Sequence, residues 1–235
     1  MKIDLNISQK QAVNLLRFLY PLWALVGLFS IAYIPSKFIV SGDAIVTANN
    51  IIANGLLFRL GIAGNLLTHL IHIIVVLILY QLFKSVDKKQ AMLIVILGLI
   101  GVPIAMFNEV FKAAALLLIN NPEQMMFFLD LHGMGIIIAS VFWGLWLIPQ
   151  GMLIYKSGYF PKIFGHLMII AGVAYTTMAF VQIIFPHLTT VISMLEMITM
   201  GEVLFMIWVL FKGAKLSGDG VDVEKMSEGE VVSFD

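Results

Sequence analysis

LGIAGNLLTHLIHIIVVLILYQLF occupies residues 60–83, twenty-four consecutive positions without one Asp, Glu, Lys or Arg. At 1.5 Å of rise per residue an α-helix of this length covers about 36 Å, enough to cross a hydrocarbon core of about 30 Å. A β-strand has no use for so long an uninterrupted apolar run. Inside lipid every backbone amide must find its partner within the segment, which a helix achieves alone.

Working outward, five further runs have the same character, over residues 15–40, 91–119, 125–155, 163–185 and 191–211. The intervals 84–90, 120–124, 156–162 and 186–190 are short and polar or Pro-containing, so consecutive helices are expected to pack as antiparallel neighbours. Composition agrees. Of the 235 residues 60% are apolar and 12% charged, and the mean hydropathy is +0.99; soluble domains carry about 25% charged residues. The expected fold class is therefore all-α, a polytopic transmembrane bundle of about six spans over residues 1–213, with the lipid bilayer as its principal partner. Residues 214–235, rich in Asp, Glu, Gly and Ser, are expected to form a disordered acidic tail.

Charge sets the expected orientation. Lys2, Lys10, Arg17, Lys84, Lys88, Lys89, Lys156, Lys162, Lys212, Lys215 and Lys225 fall on one side of the six-span arrangement, leaving Lys37, Arg59 and Lys112 for the other. The positive-inside rule makes the first side cytoplasmic and puts both termini there. Balanced charge, 14 basic against 14 acidic residues, excludes a nucleic-acid surface. Without cysteine there are no disulfides, iron–sulfur clusters or thiolate metal sites. The first apolar run is too long for a cleavable signal peptide and lacks a small-residue cleavage site, so it is expected to stay as span one.

The one long connection, residues 43–57, repeats Ile45, Ala48, Ile51, Ile52 and Leu56 at helical spacing, with Asn49, Asn50 and Asn54 elsewhere on the wheel. It reads as an amphipathic helix at the outer interface, capped by Ser41. Asn121-Pro122-Glu123 reads as the capped start of span four. Pro103 and Pro149 are expected to kink spans three and four.

Ionisable groups in hydrocarbon are costly, and by default they face the bundle interior or a wet cavity. Counted from the outer helix ends, His69 and His72 lie about 13 and 18 Å deep, Asp130 and His132 about 10–13 Å, and Glu196 about 10 Å. Glu109 reaches a similar level and Glu202 lies nearer the middle. Asn65, Thr68, His69 and His72 share one face of span two. Asp130 and His132 are about 200° apart, so only one of them joins a central site. Glu109 and Lys112, three residues apart, can pair locally while Lys112 snorkels outward. Trp143, Trp146 and Trp208 read as lipid-facing or interfacial.

These residues support three readings. The leading one is an outer-half pocket that binds a small polar ligand or ion, lidded by the interfacial helix. The second is a metal- or haem-dependent membrane enzyme. His69, His72, His132 and Glu196 are the candidate ligands of a divalent metal, and His72 with His132 the candidate clamp on a haem. The third is purely structural, with buried Glu, His and Asn joining helices by hydrogen bonds. No phosphate-binding glycine loop, nucleophile elbow or zincin motif is present.

The stretch from Gly42-Asp43-Ala44 through Asn50-Ile51 to Leu57-Phe58-Arg59-Leu60-Gly61 resembles a family of bacterial integral membrane proteins catalogued as domain of unknown function 4386. The likeness continues at Leu79-Tyr80 and in Ser157-Gly158-Tyr159-Phe160-Pro161-Lys162. Gly165, Gly172, Tyr175, Trp208 and Lys212-Gly213 complete it. It covers most of the chain up to the tail. The resemblance implies a multi-span bundle of the bacterial inner membrane and supplies no catalytic residues. It draws attention to Arg59, which stands between the interfacial helix and span two as a candidate to hold a lipid phosphate, pair with Asp43 or join the ligand site.

Overall fold

A computed structural model gives the fold of residues 7–216. The expected tail falls, beyond its first three residues, outside the described residues. The described chain is all-helical, with six helices or helix pairs long and apolar enough to cross a membrane. Span one is α1 (Gln9–Gly27), a π-helical stretch (Leu28–Tyr33) and α2 (Ile34–Phe38). After the short helix α3 (Ala44–Ala53) come α4 (Gly55–Phe83), α5 (Lys88–Leu117), α6 (Pro122–Ser157) and α7 (Lys162–Ile184). Span six is split into α8 (Thr189–Thr199) and α9 (Gly201–Lys212).

Local chemistry explains where the helices begin and end. Ser8 and Gln11 form a reciprocal capping box on α1. The Asp87 carboxylate accepts from the backbone N–H groups of Lys89 and Gln90, both at 3.1 Å, to start α5. Asn121 accepts from Gln124 N–H and Pro122 takes the first turn of α6. That helix stops at Gly158, whose φ of +69° is open to glycine at little cost. The cap of α3 is Asp43, bonded to Val46 N–H at 2.9 Å, in place of the expected Ser41.

α5 and α6 stay helical through Pro103 and Pro149. The irregular turn is in span one, ahead of Pro35. A proline there has no N–H for the carbonyl of Ile31 and its ring would strike that oxygen, so the chain takes a wider turn through Leu28–Tyr33.

Glycine sets the closest helix contact. α6 and α7 cross antiparallel with Gly144 opposite Gly172 and Gly151 opposite Gly165. A Cβ on Gly144 would stand 2.7 Å from the Gly172 carbonyl oxygen, and one on Gly151 would stand 2.6 Å from that of Gly165. The reverse substitutions meet Gly144 and Gly151 at 2.7 and 2.8 Å. In lipid there is no hydrophobic drive between helices, so backbone approach and dispersion hold this pair.

The main core gathers Leu16, Val75, Leu79, Phe83, Trp146 and Phe205 from spans one, two, four and six. A smaller cluster joins Phe38, Phe58, Ile34, Met125 and Leu129 to α3 through Ala48 and Ile51. The expected apolar face of α3 is thus divided. Ala48 and Ile51 turn in, while Ile45, Ile52 and Leu56, at the start of α4, are exposed. Large apolar side chains such as Phe18, Phe107, Leu117 and Phe211 cover the outside, as lipid requires.

One end of the bundle collects the basic loops. Lys156 pairs with Asp87 at 3.1 Å, Arg17 donates to the Leu210 carbonyl at 3.0 Å, and Lys215 N–H donates to the Tyr159 carbonyl at 2.8 Å.

Candidate functional site

Glu109, on α5 about 12 Å from that helix's C-terminal end by helical rise, is the centre of the polar layer. It is 3% exposed. Its Oε1 accepts from the Asn65 side-chain amide of α4 in a short hydrogen bond and lies 2.9 Å from His132 Nε2 of α6. Beside a carboxylate that ring nitrogen must carry its proton. One turn along α5, Lys112 Nζ lies 3.3 Å from Glu109 Oε2. Three helices are therefore joined through one side chain.

Lys112 departs from expectation. It does not snorkel outward; it is 2% exposed, buried beside its carboxylate. Asn108 fixes the neighbouring crossing. Its amide donates to the His132 carbonyl at 2.8 Å, and its oxygen lies where a Cβ on Gly135 would be, 1.9 Å away. Sequence reasoning passed over Asn108, although 108, 109 and 112 share one face of a helix.

The two histidines of span two occupy separate aromatic surroundings. His69 stacks on Trp143 with ring centres 5.9 Å apart and lies within electrostatic reach of Glu109 and Lys112. Its Nε2 is buried without a hydrogen-bond partner, as is Asn65 Oδ1 one turn away on the same helix face. His72 is boxed by Trp23 at 5.1 Å and Trp146 at 4.8 Å, with Nε2 3.1 Å from the Gly98 carbonyl oxygen. Trp146, at 2% exposure, and half-buried Trp143 are thus interior residues, contrary to their lipid-facing reading.

Other expected members lie elsewhere. Asp130 is exposed on α6, on the opposite side from His132, as the 200° separation implies. Glu196 is exposed on α8. Glu202 lines a separate cleft between spans one and six. Arg59 is exposed and, among the described residues, in no ion pair; Asp43 is occupied as the cap of α3. α3 packs on Met125 and Leu129.

The proposed metal set does not assemble. Among the described residues no three His, Asp or Glu side chains are placed to hold an ion. His72 gives its Nε2 to a carbonyl and His132 gives its Nε2 to Glu109, so the pair is not arranged as a haem clamp. What remains is one carboxylate, one ammonium, two amides and two imidazoles gathered in one layer.

The family model described as "Domain of unknown function (DUF4386)" matches residues 18–213. The chain is also similar to an "Uncharacterized protein" of Archaeoglobus fulgidus, with 31% identity over 156 residues, covering 66% of this chain and 85% of the relative. No solved structure matches the chain.

Proposed function

We propose that this chain, which belongs to the family described as domain of unknown function (DUF4386), is a multi-pass membrane protein that binds a small uncharged polar ligand. The ligand sits between Asn65, His69 and the Glu109–Lys112 pair, in the outer half of spans two to four. One observation carries this reading. Asn65 Oδ1 and His69 Nε2 are buried, one helical turn apart on one face, and take no hydrogen bond from the chain. Each such atom costs about 1–3 kcal/mol unless something bonds to it. An amide oxygen only accepts, and an imidazole nitrogen accepts or donates according to tautomer, so a hydroxyl or amine suits both. The neighbouring Glu109 and Lys112 cancel in charge, which favours a neutral ligand over an ion. His132, at 12% exposure, marks the side of entry.

Native mass spectrometry of the protein released from membranes tests this. A small adduct is expected on the wild type and should be absent from Asn65→Leu and His69→Leu. A wild type without any adduct, together with a His69→Leu variant that melts higher, would sink the reading. That result favours the structural alternative, in which the layer only locks three helices. The three protein partners already held by Glu109 speak for that alternative.

A further inference from the structure

Spans one and six, the two interrupted helices, do not close against each other along their middle. Between them lies a cavity of about 530 Å³, lined by Tyr20, Trp23, Thr68, Met200, Glu202 and Met206 with further aliphatic side chains. The volume is within the range of small-molecule sites. Its walls contain the π-helical turn (Leu28 and Ile31) and the break at Met200.

Glu202 is the only ionisable carboxyl or amine among the lining residues. Its carboxylate takes no hydrogen bond from any described residue. From helical rise it lies about 15 Å from the end of span six at Lys212 and about 20 Å from the end at Thr189. It stands in the first turn of α9, where the helix dipole favours negative charge but supplies no counter-ion. The phenols of Tyr20 and Tyr175 are the titratable groups that face it from spans one and five. A carboxylate kept at mid-membrane, facing an apolar cleft and unpaired, marks a ligand site by default.

Charge and depth together identify the occupant. No Lys or Arg lines the cleft, so the one charge its lining can carry, on the Glu202 carboxylate, is negative. Phospholipid ammonium groups stay at the headgroup level and do not reach so deep. The ring faces of Tyr20 and Trp23 attract cations, and Met200 and Met206 adapt to varied shapes. We propose that the cleft between spans one and six binds a lipophilic organic cation, with Glu202 as its counter-ion.

The test compares two isosteric probes of opposite charge, tetraphenylphosphonium and tetraphenylborate, by titration calorimetry of the full chain in neutral detergent. Saturable binding of the phosphonium at one per chain is expected, with little or none of the borate. Glu202→Gln should weaken phosphonium binding by about tenfold or more, while Glu202→Asp retains most of it and Glu196→Gln, outside the cleft, changes nothing. Equal binding of both probes, or an unchanged affinity in Glu202→Gln, overturns the proposal. If Glu202→Gln fails to fold, Met206→Trp decides: it fills the cleft and keeps the carboxylate, so undiminished binding also overturns it. Neither result bears on the Asn65–His69 site, since Asn65, His69, Glu109 and Lys112 do not line this cleft.

Discussion

Replacing Glu109 by Gln keeps the size of the side chain and one acceptor for Asn65 or His132, but removes the charge opposite Lys112. The ammonium then stands 2% exposed among three helices with no counter-ion. Breaking a buried pair from one side costs about 3–5 kcal/mol. For a chain of this size each kcal/mol moves the midpoint by about 2–4 °C, so Glu109→Gln is expected to melt about 6–20 °C below wild type. Replacing both partners, as in Glu109→Gln with Lys112→Met, leaves no buried charge. That double variant should recover to within about 1 kcal/mol of wild type or exceed it. Tryptophan fluorescence in detergent follows the transition, with Trp143 against His69 as a local reporter. The cycle separates a buried Lys112 from one that escapes to the interface, because a snorkelling lysine would make the single substitution mild. A Glu109→Gln midpoint within about 2 °C of wild type, or a double variant as unstable as the single, refutes the reasoning.

Three other outcomes are expected. Gly151→Val places its Cβ 2.6 Å from the Gly165 carbonyl oxygen, forcing α6 and α7 apart; a loss of about 1–3 kcal/mol should appear in the melt, and an unchanged midpoint would contradict the crossing. The Asp87 carboxyl is held below the usual carboxylate range, first by the Gln90 backbone N–H and then by Lys156. Its contribution is therefore present above the unfolded value of about 3.9 and is lost as pH falls through the lower folded value. The melt of Asp87→Asn should lie below wild type at neutral pH, and the two should converge in acid. Because the sequence has no cysteine, single replacements report orientation directly. With cytoplasmic termini, Asn120→Cys reacts with an impermeant maleimide on intact cells and Ser85→Cys only after lysis; the reverse pattern refutes the orientation.

The membrane class and the six spans were legible in the sequence because they depend on long apolar runs, such as residues 60–83, and on no long-range contact. So was the separation of His132 from Asp130, since a 100° step between positions on one helix holds whatever packs around it. The start of α6 at Asn121-Pro122 was legible for the same local reason. The composition of the polar layer was not. Depth along the helix put Glu196 and Glu109 at comparable levels and Glu202 nearer the middle, but depth does not say which helices are neighbours. Only the packed bundle sets Glu109 against Asn65 and His132, buries Lys112 with it, turns Glu196 out and gives Glu202 a cleft of its own. The glycines at 144, 151, 165 and 172 show the same division. Their seven-residue spacings stand in the sequence, yet two such rows become an interface only when α6 and α7 are brought together. Local periodicity fixes what each helix presents. Which faces meet depends on contacts between residues far apart in the chain, and those the tertiary structure alone decides.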